Sequence, residues 1–202
     1  MKKSHLWILI FNLAYLVIFG AYYLSVQNYE FIWYIAVIVI LGAVIAFNLH
    51  RGVFDDLILW LLSIWGLVHM IGGGVRIAGS TVYSLKLIEI INKSDQFYIL
   101  KMDQLIHFYG FFVSAILVYK LLTVVARNEF LKSPKLMIFL SWIGSMGLGA
   151  LNEVVEFLAF ISLDKTGVGD VYNTGLDLIF NLLGALVGAF VASRIYRNLK
   201  IK

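Results

Sequence analysis

The residues of this chain that could do chemistry are carboxylates and imidazoles set among long apolar runs. Glu153 and Glu156 stand three apart, and Asp103 and His107 four apart. Such spacings put both members of a pair on one helix face, the way helical bundles build carboxylate metal centres. Mixed Asp, Glu and His donors suit Mn, Fe or Zn, whereas oxygen-only sets suit Mg or Ca. A histidine beside carboxylates would also serve as a general base, with a cation stabilising phosphate charge. The ligands read for a divalent cation are Asp103, His107, Glu153, Glu156 and Asp177. His107, Glu153 and Glu156 are the candidate catalytic groups, and His69, Asp170, Asp177 and Asn181 the candidate ligand-binding groups. The competing reading is a structural core in which Glu153 or Glu156 pairs with His107 or His69. Ser114 and Ser145 have no activating neighbour in sequence and are assigned to packing.

The elements that must position these groups are membrane spans. The chain has 202 residues, 61% hydrophobic and 14% charged, against about 45–50% and about 25% for a soluble domain. No cysteine is present, which excludes thiol catalysis and Cys-ligated zinc. Apolar runs predict six spans at about 6–26, 31–49, 57–75, 103–125, 136–161 and 175–195. The first is too long for a signal-peptide core and is read as a retained span. The fold class is therefore an all-α, polytopic membrane bundle, one integral domain over 1–202, since a β-barrel would need alternating ten-residue strands. Residues 76–102 are too charged to span. The spacing of Leu85, Ile88 and Ile91 predicts an interfacial helix there.

Lys and Arg in the connectors set the orientation. With the N-terminus inside, one side carries Lys2, Lys3, Arg51, Lys120, Arg127, Lys132, Lys135, Arg194, Arg197, Lys200 and Lys202. The other carries only Arg76, Lys86, Lys93, Lys101 and Lys165. Both termini are thus expected in the cytoplasm. The acids and imidazoles of four spans then fall at one depth, on the extracytoplasmic side.

Each of those spans has a polar stripe running into small residues. The fourth carries Asp103, His107, Gly110 and Ser114, and the sixth Asp177, Asn181, Gly184 and Gly188. The fifth carries Ser145, Gly149, Glu153 and Glu156, and the third Gly66, His69 and Gly73. Small residues let membrane helices approach closely, so four helices are expected to hold a polar cup. Gly72–Gly74 are expected to end the third span, and Trp and Tyr residues to act as interfacial anchors. A carboxylate at mid-membrane costs about 2.5–3.5 kcal/mol on insertion scales. If every acid ionised, the negative charges would outnumber two imidazoles. Either protons stay on or a divalent cation completes the site.

The segments MDQLIHFYGFF, LNEVVEF and GVGDVYNTGLDLIFNLLGALVG, in that order, resemble the signature of the YjdF-like inner-membrane proteins. More distantly they are similar to the VanZ-like proteins. The matching positions are Asp103, His107 and Phe108, then Glu153 and Glu156, then Gly169, Asp170, Asp177, Asn181 and Gly184, with His69 to Gly73 as an upstream element. VanZ is linked with low-level glycopeptide (teicoplanin) resistance, so the resemblance implies an envelope-facing role.

The expectation is a multi-pass protein of the cell membrane whose cup binds, and in one form processes, a polar or lipid-linked envelope ligand with a divalent cation. Proton- or cation-coupled transport is the alternative, and a structural protein with a paired polar core the third. The expected partners are membrane lipids and a lipid-linked or envelope small molecule, not nucleic acid. A homo-oligomer of six-span halves is compatible with the transport reading.

Overall fold

In a bilayer every backbone polar group must be satisfied within the chain, which leaves a long apolar segment one choice, the helix. The computed structural model describes residues 2–92, 98–126 and 133–196. Among these are six helices long and apolar enough to cross a membrane. They are α1 (Lys3–Ser25), α2 (Tyr29–Asn48), α3 (Asp56–Gly74), α4 (Met102–Val125), α5 (Pro134–Ser162) and α6 (Val171–Ile195). The protein is an integral membrane protein with multiple spans. Of the charges used for orientation, Lys93, Arg127, Lys132, Arg197, Lys200 and Lys202 lie outside the described residues.

Four of these six helices start at side-chain caps, which satisfy amides the helix leaves unpaired. Asn28 accepts from the Phe31 N–H, Asp55 from Ile58, and Ser133 from Leu136. Asp170 accepts from both the Tyr172 and Asn173 N–H groups, so α6 begins at Val171, ahead of the expected residue 175. Its first turn is polar, and apolarity alone does not register it.

Between α3 and α4 the structure departs from expectation. Where an interfacial helix is predicted there are two antiparallel hairpins. Strand β1 (Arg76–Ile77) pairs with β2 (Ser80–Thr81), and β3 (Lys86–Asn92) with β4 (Tyr98–Lys101). The first hairpin turns through Ala78 and Gly79, both at positive φ, the mirror-type turn that matches strand twist. In β3 the run Lys86-Leu87-Ile88-Glu89-Ile90-Ile91 is rich in β-branched residues, which favour strands. Residues 86–90 are exposed on both faces, so no apolar helical face exists to bury.

The packing order explains where the small residues went. Helices α4, α5 and α6 form the closest group, α3 joins through α4, and α1 lies on α3 with α2 outermost. At Gly184 and Gly188 of α6 a Cβ would strike the carbonyl oxygens of Phe108 and Phe112 on α4. Ala115, Ala185 and Ala189 are fully buried in the same seam. Ser145 Oγ donates to the Phe111 carbonyl at 2.8 Å, the packing role expected for it. Helix α1 is keyed to α3 by Asn12 Nδ2 donating to Ser63 Oγ at 2.6 Å. The outer faces of α1 and α2, with Val17, Ile40 and Phe47 exposed, have the apolar surface that lipid solvates.

Candidate functional site

Helix register brings the ionisable groups together around His107. Its Nε2 lies 3.7 Å from Asp103 Oδ1, on the same helix, and 3.8 Å from Glu156 Oε1 of α5. Its Nδ1 lies 3.8 Å from Glu153 Oε1 and 3.1 Å from Asn181 Oδ1 of α6. Asp177, one turn before Asn181, completes the group. Two triads, Asp103–His107–Asp177 and His107–Glu153–Glu156, each have donor atoms within 4.8 Å of one another. Four carboxylates from three helices therefore converge on one imidazole.

The hydrogen bonds orient this cluster. With Asn181 Oδ1 accepting, His107 Nδ1 carries a proton, and Nε2 faces Asp103 and Glu156. That is how a ligating imidazole is held, one nitrogen bonded outward and the other free for the ion. Asn173 Nδ2 donates to Asp177 Oδ2 at 2.6 Å and to Asp103 Oδ2 at 3.4 Å, leaving the opposite oxygens turned inward. Asn152 Nδ2 donates to Glu156 Oε1 at 2.8 Å. Asp177 and Asn181 are fully buried, yet Asp177 Oδ1, Glu153 Oε1 and Asn181 Nδ2 have no hydrogen-bond partner. Buried polar atoms are rarely left so.

Two predicted residues stand apart from the cluster. His69 sits against an aromatic wall, stacked on Trp65 and flanked by Phe31, Tyr34 and Tyr83 at ring separations of 5.4–5.8 Å. Its Nδ1 is hydrogen-bonded to the Tyr83 hydroxyl. Burial pushes that hydroxyl well above the usual phenol range, so it stays neutral. Asp170 is the exposed cap of α6, its Oδ1 engaged by two backbone amides. The aromatics here line the site, a difference from the interfacial-anchor role expected of them. Gly72, Gly73 and Gly74 end α3 as expected, and their small size also admits the rings of Tyr83, Phe31 and Tyr23.

Above the cluster lies a cavity of about 1320 Å³, whose walls include His69, Tyr34, Tyr83, Asp103, His107 and Glu156. Three residues of the cavity and the cluster beneath it escape sequence reading. Asn173 extends the α6 stripe by one turn, at the same spacing of four, and would have been found by carrying the stripe back. Asn152 sits four residues before Glu156 and could have been read the same way. Glu30, in the first turn of α2, is buried; its Oε2 accepts from the Gly167 N–H at 2.6 Å and its Oε1 from Tyr34 Oη at 3.2 Å. Nothing local in sequence signals that bond, which spans 137 positions.

Fold and site together define a six-helix integral membrane protein with an acid-rich, single-histidine cluster beneath a polar cavity. The chain belongs to the family described as "Predicted membrane protein (DUF2238)", whose model matches residues 5–198. No curated protein and no solved structure is significantly similar to it.

Proposed function

We propose that this chain binds a divalent cation through Asp103, His107, Glu153, Glu156 and Asp177, and that the cation holds a polar, lipid-linked ligand in the cavity above. The observation that carries this reading is the buried, unpartnered Asp177 Oδ1 aimed into a cluster already crowded with carboxylate. Protonation of His107 cannot balance such a group. One of its two N–H positions is taken by Asn181, which leaves a single donor for four acids. A cation supplies the missing charge in all directions at once. Donor separations of 3.7–3.8 Å are ones that two ligands of a single ion can span with bonds of about 2.0–2.2 Å. The mixed nitrogen and oxygen donors favour Mn, Fe or Zn.

The same acids are what the transport reading rests on, but a carrier needs a polar route onward. Beneath Asn181 the helices close on Gly149, Gly184, Ala185 and Ala189, which supports a dead-ended binding site. The connector charges argue for a cavity on the extracytoplasmic side of the cell membrane. The likeness to YjdF-like and VanZ-like sequences points to an envelope-facing role, and a bound cation beside His107 would also serve hydrolysis or group transfer. The test is elemental analysis of protein purified after manganese or zinc loading and desalting. Near-stoichiometric metal in the natural chain and its loss in the Glu153→Gln, Glu156→Gln variant is the expected result. Equal metal content in both would remove the cation from the proposal.

A further inference from the structure

The cavity has a second pole. Arg76, Lys101 and Lys165 line it, from three segments that are remote in sequence. Arg76 opens the first hairpin just past α3, and Lys101 closes the second just before α4. Lys165 lies in the α5–α6 loop, which the buried Glu30 ties to α2 through the Gly167 amide. The hairpins and the tethered loop thus contribute three cations to the lining of one cavity. Among the described residues, none of Arg76, Lys101 and Lys165 forms an ion pair. The same cavity is also lined by Asp164, Glu30, Asp103 and Glu156, yet three cations that form no ion pair with any of them are an arrangement suited to an anion.

We propose that Arg76, Lys101 and Lys165 form the anion-recognition pole of the cavity, and that its ligand carries a phosphate or diphosphate group. This rests in part on the cation reading above, because a metal at the floor would turn the acid cluster from repelling phosphate to bridging it. A carboxylate carries one charge and would leave most of this pole uncompensated. Phosphate offers several oxygens to a guanidinium, two ammonium groups and a metal together. The ligand's source is either a soluble phosphoryl compound or a phospholipid head group.

The test uses the whole protein in phosphatidylcholine nanodiscs, with inorganic pyrophosphate as probe and calorimetry as readout, before and after manganese loading. Pyrophosphate is expected to bind the natural chain, more tightly with manganese. Binding should weaken about tenfold for each cation removed in Arg76→Gln, Lys101→Gln and Lys165→Gln. Manganese uptake without pyrophosphate should be unchanged in these variants. A triple variant that binds pyrophosphate as the natural chain does would overturn the proposal. So would a natural chain that binds neither pyrophosphate nor phosphatidic acid. Displacement of pyrophosphate by phosphatidic acid in the disc supports the pole and names a lipid head group. Pyrophosphate binding without such displacement supports it with a soluble source. If Glu153→Gln, Glu156→Gln keeps full metal while pyrophosphate binding still needs the three cations, the metal reading falls and this one stands.

Discussion

Two polar clusters sit at opposite ends of the same bundle, and they are built on different accounting. At the end where α1 starts and α6 finishes, Asp55 caps α3 through Oδ1, accepts from Tyr196 Oη at 2.8 Å through Oδ2, and has Lys120 Nζ 3.7 Å away. Lys120 also lies over the Tyr196 ring, 4.7 Å from its centroid. Burial pushes the Tyr196 hydroxyl above the usual phenol range, and its bond to Asp55 pushes it the same way. One acid meets one cation and two donors, and the only unsatisfied atom beside it among the described residues is Asp56 Oδ1, which has His5 Nε2 3.2 Å away. At the other end four acids meet one imidazole, and buried oxygens have no partner. A satisfied polar cluster in a membrane bundle stabilises it. An unsatisfied one is retained at a cost, which the proposed cation would offset.

The comparison can be broken most forcefully at the seam both clusters depend on. Gly184→Leu would drive a side chain into the Phe108 carbonyl and separate α4 from α6. We expect a loss of about 3 kcal/mol, together with loss of manganese uptake. A variant that melts and loads metal like the natural chain would contradict the α4–α6 contact.

Next in size is Asp55→Ala, which removes a cap, a hydrogen bond and an ion pair. It should cost about 2 kcal/mol with metal content unchanged. Asp177→Asn should move stability the other way. It replaces an unpartnered buried acid, and the metal-free protein should gain about 1 kcal/mol while losing its stabilisation by manganese. Paired thermal melts with and without the metal read both effects. If Asp177→Asn destabilises the metal-free protein as Asp55→Ala does, the two clusters are of one kind.

The smallest effect concerns the tether. Glu30→Ala should cost about 1 kcal/mol and speed proteolysis within residues 163–169. Glu30→Gln keeps an acceptor for the Gly167 amide and should restore most of the protection. Equal cleavage rates in all three proteins would show that the loop is held by something else.

Much of this was legible before any coordinates. Apolar runs marked the helices to within a few residues, except at α6, where a polar first turn hid its start. The stripes named Asp103, His107, Glu153, Glu156, Asp177 and Asn181, and these converge. His69 carried the same signal and landed in an aromatic wall, while Asp170, which lay outside the stripes at the opening of the sixth span, became a helix cap. Periodicity says which residues share a helix face, and it is silent on what that face meets. The hairpins were missed because Leu85, Ile88 and Ile91 mimic a helical spacing, while the β-branched residues and the absence of a buried face decide for strands.

The sequence by itself determined that the chain enters the membrane as helices, because unpaired backbone groups are too costly in hydrocarbon for any other local choice. It also determined that several of those helices carry groups lipid cannot solvate. Only the tertiary structure decided which of these groups meet. The carboxamides that orient the acids, the cations from the hairpins and loop, and the bond from Glu30 to Gly167 join positions far apart in the chain. Their energies come from cross-helix geometry, which no local pattern encodes.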